Sequence, residues 1–472
     1  MLVEIGLCLV ALLVVFISYF VHAWSNPKSN GKLPPGSMGL PIIGETLHFF
    51  SSHSLYEVSP FFKKRMNRYG PMFKTSLFAQ KMVVSTDPDI NYKLFQQENQ
   101  NLLFWFSGSF TKMIGEEKLL AGHGSIHKYV KNLLLHFVGA ENLKAKLLPE
   151  MDIATQRRLQ IWASHGSVDV KDDCGQMIFE SFAKRLISYD TANDTMKLGA
   201  NLKAFMDGLI SFPLNIPGTA FHASMQGHKR SMKAMQDIYN ERKASKVSKN
   251  DFLDHLLEEM KKENTFLDES NAVKLLYGIL FAAFEATSQA ITLVTKFLCE
   301  QPDVLAELTK EHEELLKRRV DENSPFTWEE YKSLTFTHMV INETIRLGNI
   351  APGIFRKVVK DLEINGYTIP AGWIFMAALP VVHLSSDKYE NPFTFNPWRW
   401  QGKELNSGSK NFMGFGIGVR LCVGAEYAKL QVALYLHYLI TKYRWSLIKG
   451  RDVVKKPVNM FPTGLHIKIA EK

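Results

Sequence analysis

A mostly α-helical fold with small β-sheets, set behind one apolar amino-terminal segment, is what the sequence predicts. Three observations predict it. Apolar residues recur at three- and four-residue spacing from His127 to about Ala183 and from Leu202 through Leu316, the period of one helix face. β-branched runs are short and fall around Met72–Ser85 and Phe355–Ala378. Strands do not alternate with helices along the chain, which argues against a doubly wound α/β architecture.

The elements follow in order. Ile5–Val21 carries no charge, and as a helix rising about 1.5 Å per residue it just crosses the hydrocarbon core of a bilayer. Glu4 precedes it and Trp24, Lys28 and Lys32 follow it. The positive-inside and aromatic-belt rules then make a single-pass anchor with the remaining chain on the cytosolic face. A cleaved signal peptide would need a basic leading region and a small-residue cleavage site, so Glu4 and the bulky residues after the segment favour retention. Residues 1–24 are read as the anchor. Residues 25–45 are a connector, because Leu33-Pro34-Pro35-Gly36 and Pro41-Ile42-Ile43-Gly44 restrict φ and remove donors. A helix is expected over Phe61–Tyr69 and strands over Met72–Leu77 and Lys81–Ser85. The helical middle breaks at Pro213 and Pro217. Strands return at Phe355–Val359, Leu362–Ile369 and Ile374–Ala378, with turn signals at Asn365-Gly366 and Pro370-Ala371-Gly372, before a helix near Glu426–Tyr443. No linker composition interrupts residues 46–472, which are read as one large domain.

Composition narrows the function. With 46% hydrophobic and 22% charged residues the chain is neither disordered nor a multi-span membrane protein. The net charge of +9 is scattered, with no long basic run, so a nucleic-acid role gains no support. Cys8, Cys174, Cys299 and Cys422 lie too far apart in sequence for a CxxC metal site and do not suggest a disulfide scaffold.

The strongest chemical signal is Phe415-Gly416-Ile417-Gly418-Val419-Arg420-Leu421-Cys422-Val423-Gly424, followed by a helix from about Ala425. It sets one thiol among glycines, where backbone N–H groups and a helix amino end favour the thiolate, the form that ligates metal. A buried structural cysteine is the plain alternative.

This segment resembles the haem-binding loop of the cytochrome P-450 superfamily, Phe-x-x-Gly-x-Arg-x-Cys-x-Gly, met by Phe415, Gly418, Arg420, Cys422 and Gly424. The resemblance implies the cytochrome P-450 fold over essentially the whole chain, with residues 46–472 as a haem-thiolate monooxygenase domain. It implies haem b with Cys422 as axial ligand, O2 as co-substrate, and electrons from NADPH through a separate flavoprotein reductase, since no flavin or nicotinamide motif is present. Arg420 and Arg356 would pair with the haem propionates, as would His127 and Lys131, which stand where the superfamily has Trp and Arg. Both replacements still donate, although Lys lacks the guanidinium fork. Glu343-Thr344-Ile345-Arg346, with Arg399 of Pro397-Trp398-Arg399-Trp400, resembles the superfamily's structural triad; alone it would read as a helix ion pair. Lys128, Lys131, Lys410 and Lys429 would steer an acidic reductase.

One motif departs from the pattern. Where the superfamily has Ala/Gly-Gly-x-Asp/Glu-Thr-Thr/Ser, this chain reads Ala282-Ala283-Phe284-Glu285-Ala286-Thr287-Ser288. Glu285 keeps the acid, Ala286 replaces the relay alcohol, and Thr287 stands about 100° further round the helix. Proton delivery would then need a water beside Glu285 or a distorted helix that brings Thr287 round. Slow delivery would instead favour carbon–carbon cleavage, as in cleaving members of the superfamily.

The fold resemblance places apolar segments over the haem, with Leu102, Phe104, Phe106, Phe284, Ile350, Phe355 and Phe461 as pocket residues. Their joint character suits a large lipophilic substrate entering from the membrane. The connector, Ile341-Asn342-Glu343-Thr344, Phe395-Asn396-Pro397-Trp398 and Gly208–Thr219 resemble plant enzymes related to brassinosteroid hydroxylases that oxidise sterols and triterpenoids. The reading is sterol side-chain hydroxylation and cleavage, of cholesterol or a phytosterol to a pregnenolone-type steroid, by a monomer on the endoplasmic reticulum membrane. Ring hydroxylation of a β-amyrin-type triterpenoid is the alternative. A reductase-independent haem-thiolate isomerase or lyase and a non-catalytic sterol-binding protein are rival classes.

Overall fold

The computed structural model describes residues 2–98, 100–106, 122–209, 211, 214–245, 247–403 and 408–472. The Gly208–Thr219 motif lies partly outside them.

Helix α1 (Leu2–Ser25) extends the predicted apolar segment at both ends. It is long and apolar enough to cross a membrane, and its apolar window is 0% buried against the chain. At its end the Trp24 indole N–H donates to the Met38 and Gly39 carbonyls at 3.2 and 3.1 Å. The helix end is thus fastened to the proline connector.

Helix α2 (Pro60–Tyr69) begins where the Ser59 hydroxyl accepts from the Phe61 N–H, with Pro60 in the first turn. Strands β1 (Met72–Leu77) and β2 (Gln80–Ser85) form an antiparallel hairpin in register from Met72↔Ser85 to Leu77↔Gln80. Its turn residues Phe78 and Ala79 have φ of 55° and 59°, a geometry that Asn-Gly usually serves. Phe78 packs edge-on against Phe49 and Phe50, an apolar contact at a strained turn.

Strand β3 (Leu102–Phe104) precedes the helices α3 (Ser125–Val138), α4 (Leu148–His165), α5 (Val170–Ile187), α6 (Leu198–Leu209), α7 (Ala220–Ser245), α8 (Glu269–Glu300) and α9 (Thr335–Gly348). Strands β4 (Ile354–Val358) and β5 (Ile374–Ala377) complete a five-stranded sheet in the order β1-β2-β5-β4-β3, with β2 and β5 parallel. The predicted Leu362–Ile369 strand is folded at Asn365-Gly366 into two short paired strands. Helix α10 (Ala425–Lys442) follows the cysteine loop. The sequence reading did not anticipate β6 (Tyr443–Lys449), β7 (Val454–Lys455), β8 (Asn459–Met460) and β9 (His466–Glu471). Strands β7 and β8 form a small hairpin on which His53–Ser54 pairs.

Helix α8 is the axis of the fold. The Asp268 carboxylate caps it by accepting from the Asn271 N–H at 2.7 Å, and it stops before Pro302. It is as apolar as a membrane span, but its apolar window is 72% buried, against α5, α9 and α10 among others.

Candidate active site

The cysteine loop is held by its own backbone. Gly416 and Gly418 take φ of 83° and 68°, where a side chain would strain the chain. The Cys422 N–H donates to the Phe415 carbonyl at 2.8 Å, and α10 starts directly after Gly424. Cys422 is accessible, yet protein encloses it so closely that burial pushes its thiol above the ordinary range, opposed by the Gly424 N–H. Arg420 does not pair with the sulfur but with Glu98. A thiolate here therefore calls for a bound cation at the sulfur itself.

Arg420 belongs to a cationic cluster. Arg356 places Nε 2.7 Å from Glu98 Oε1 and donates from Nη2 to Oε2 at 3.2 Å, while Arg420 places Nε 2.9 Å from Oε1. Both guanidiniums lie over the Phe104 ring, at 5.5 and 4.8 Å. Arg420 Nη2 also donates to the Gly122 carbonyl and to His123 Nδ1, which must be an acceptor because guanidinium only donates. Lys131 donates to the Val419 carbonyl at 3.2 Å. The His127 pKa is pulled down to about 4, chiefly by burial and then by Arg420, Lys131, His123 and Arg356. Glu98 is one carboxylate among these groups, and neither arginine Nε makes a well-directed hydrogen bond to it. The surplus of buried donors fits two further carboxylates, such as those of a haem. Glu98 and His123 were missed in the sequence, where a lone Glu before a strand carries no motif.

This cluster yields a prediction. Glu98→Gln removes the charge that offsets two buried cations, so it is expected to lower the urea midpoint of the haem-free protein more than that of the loaded protein, in which other carboxylates take over. Equal shifts in the two forms would contradict the fit.

Helix α8 presents Ile279, Ala282, Ala283 and Ala286 as an accessible stripe on one face at helical spacing, and Phe281 and Glu285 in the same stretch are half-buried. Ala286, where the relay alcohol is usual, is on this open face. Thr287 is 2% exposed and α8 runs unbroken, so no helix distortion brings Thr287 round. Phe284 points to α5 instead, against Phe179 and Gly175. Leu102 is likewise in the core of the five-stranded sheet, with Phe95 and Val358. Phe104 and Phe106 stack edge-on at 4.5 Å beside the cationic cluster, and Ile350, Phe355 and Phe461 are half-buried. Glu285 accepts from Lys171 at 3.1 Å and from Gln289 at 2.6 Å.

The family model for cytochrome P450 matches residues 34–469. The chain belongs to the cytochrome P450 family. Cytochrome P450 87A3 of Oryza sativa subsp. japonica is 48% identical, covering 96% of this chain and 89% of that one. Beta-amyrin 16-alpha-hydroxylase of Maesa lanceolata is 40% identical over 99% of both. A cholesterol 22-hydroxylase of Paris polyphylla is 35% identical, covering 99% of this chain and 98% of that one. The structure of retinoic acid bound cyanobacterial CYP120A1 superposes with a TM-score of 0.83 at 25% identity, covering 94% of this chain and all of that one. This P450 is a monooxygenase, and its family uses haem iron, O2 and electrons from a redox partner.

Behind the cysteine loop, this P450 gathers its structural acid and arginines as the motif predicted. Glu343 is 0% exposed and accepts from Arg346 Nε and Nη2 at 2.8 Å each, from Arg399 Nε at 2.9 Å, from Trp400 Nε1 at 3.0 Å and from the Asn396 N–H at 3.0 Å. His383 adds a strut: its Nε2 accepts from the Met413 N–H at 3.1 Å, so Nδ1 carries the proton and donates to Asn349 Oδ1 at 2.7 Å. Of the four lysines assigned to reductase steering, Lys429 is 7% exposed and covers the Phe415 ring, which removes it from the surface.

Burial, the largest cause, lowers His383 and His312 from their ordinary 6.5 to about 3. Below pH 6.5 the unfolded chain takes up protons that the folded chain refuses, so stability present above that pH is lost as pH falls toward 3, by up to about 1.4 kcal/mol per unit per histidine. Urea midpoints measured between pH 7 and 4 are expected to fall steadily, and His383→Gln to flatten the slope.

Proposed function

We propose that this P450 holds haem b through Cys422, with Arg356, Arg420, His127 and Lys131 on the propionates, and oxidises a sterol or triterpenoid using NADPH-derived electrons from a separate flavoprotein reductase. Bound there, the haem supplies oxygen activation at a thiolate-ligated iron. The protein's part is to orient the substrate, exclude water and deliver protons. Glu285, held by Lys171 and Gln289, is the proton-delivering group, working through a water because Ala286 offers no hydroxyl. Phe104, Phe106, Ile350, Phe355 and Phe461 form the apolar walls, with few polar groups to fix a ligand's orientation. Helix α1 anchors the protein, as a monomer, to the endoplasmic reticulum membrane with its body toward the cytosol.

Within that class the favoured reaction is sterol side-chain oxidation continuing to carbon–carbon cleavage. The observation that carries it is Ala286 on the open face of α8, which slows proton delivery. The Paris polyphylla relative supports a sterol substrate. Ring hydroxylation of a pentacyclic triterpene is the second reading, favoured by the Maesa lanceolata relative. Co-expression with a plant reductase, and product masses from cholesterol, a phytosterol and β-amyrin, separate them. Loss of side-chain carbons supports cleavage, whereas products that keep every carbon make the protein a hydroxylase. Ala286→Thr is expected to move the product mixture toward simple hydroxylation, and an unchanged mixture would sink the cleavage reading.

A further inference from the structure

The carboxylate of Glu285 is tied to a part of the chain far from it in sequence. Gln289, 3% exposed and one turn along α8, donates from Nε2 to Glu285 Oε1 at 2.6 Å. Its Oε1 accepts from Asn459 Nδ2 at 3.2 Å, and Asn459, 4% exposed on β8, also donates to the Gly348 carbonyl at the end of α9 at 3.0 Å. Lys455 on β7 donates to that carbonyl at 2.8 Å and to the Asn349 carbonyl at 3.2 Å, fixing the far end.

The direction of this chain is compulsory. A main-chain carbonyl only accepts, so Asn459 must turn its NH2 toward Gly348; the same NH2 then reaches Gln289 Oε1, which leaves the NH2 of Gln289 for Glu285. Flipping either amide sets oxygen against oxygen and loses the bonds that its NH2 makes, whereas in the orientation observed only Asn459 Oδ1 stays buried without a partner. The other Glu285 oxygen is taken by Lys171 on α5. Asn459 is followed by Met460, the last residue of β8, and then by Phe461, proposed above as part of the substrate wall.

We propose that Gln289 is a positioning residue that holds the Glu285 carboxylate in one orientation and passes to it the position of the β7–β8 hairpin through Asn459. This rests on reading Glu285 as the proton-delivering group. Displacement of the hairpin, by a ligand against Phe461 for example, pulls on a directed amide chain that ends on the acid.

The test uses the haem-loaded protein, with cholesterol and β-amyrin as probes. The infrared carboxylate band of Glu285 in the resting protein is the one lost in Glu285→Gln. Gln289→Met and Asn459→Leu are each expected to shift that band, and the double variant to shift it no further than Gln289→Met does. The share of reducing equivalents recovered as product is expected to fall about tenfold in each single variant and not multiplicatively in the double. A band unmoved by both single variants, or fully multiplicative losses, overturns the proposal. If Glu285→Gln leaves product recovery intact, the relay reading fails instead, and the band shifts still report the chain. Should thermal melting show that Asn459→Leu unfolds, Asn459→Ser replaces it, keeping a hydroxyl too short to reach Gln289.

Discussion

Cys422→Ala is expected to abolish turnover and the thiolate-type spectrum of the reduced carbonyl complex, while thermal melting of the haem-free protein stays close to that of the wild type. The two halves of this result have separate causes. The loop is shaped by Gly416 and Gly418 at positive φ and by the Cys422 N–H donating to the Phe415 carbonyl, and alanine keeps all of these. The substitution keeps Cβ and removes a single sulfur atom from an accessible side chain. What is lost is the sulfur, the atom proposed as the ligand. Cys174 offers the contrast: it is fully buried in α5, and burial raises its thiol well above the ordinary range. Cys174→Ala should cost some stability through a small cavity and leave the spectrum unchanged. A Cys422→Ala protein that retains the thiolate spectrum would overturn the assignment.

Glu343→Ala is expected to be the most damaging structural substitution. Glu343 and Arg346 both have fully buried side chains, and Arg399 is 6% exposed. Removing one partner of such a pair strands the others, at about 3–5 kcal/mol, against a total stability of about 5–15 kcal/mol for a folded domain. Most of the variant should therefore accumulate unfolded or without haem, measured as the ratio of haem to protein after purification. Replacing Glu343 and Arg346 together with leucine should recover part of the loss, since no guanidinium then stays buried at position 346. Recovery stays partial because Arg346 also donates to the His383 and Pro392 carbonyls at 2.7 and 2.8 Å, and those would lose their donor.

How much of this was legible in the sequence depended on whether a residue's neighbours lie nearby in the chain. The helices and the first hairpin followed from periodicity, and the cysteine loop and Glu343-x-x-Arg346 from local spacing. The turn at Phe78-Ala79 has no turn chemistry; its ring contacts come from Phe49 and Phe50. Leu102 and Phe284 were assigned to the pocket because the fold resemblance places their apolar segments over the haem, but the two faces of a strand, or of a helix, have different neighbours. Ala286 and Phe284 differ by about 200° around α8, enough to leave one exposed and turn the other to α5. Glu98, His123, Gln289 and Asn459 were invisible for a different reason: each gains its meaning from partners brought together only by the fold.

The fastening of Trp24 to Met38 and Gly39 bears on how the body is posed. With α1 across a bilayer, these bonds would couple the tilt of that helix to the body. A span meets a thicker bilayer by standing upright and a thinner one by leaning, so lipid thickness becomes a lever on the angle at which the enzyme's surface meets the headgroups. Cutting the lever at Trp24 would free the body to choose that angle for itself.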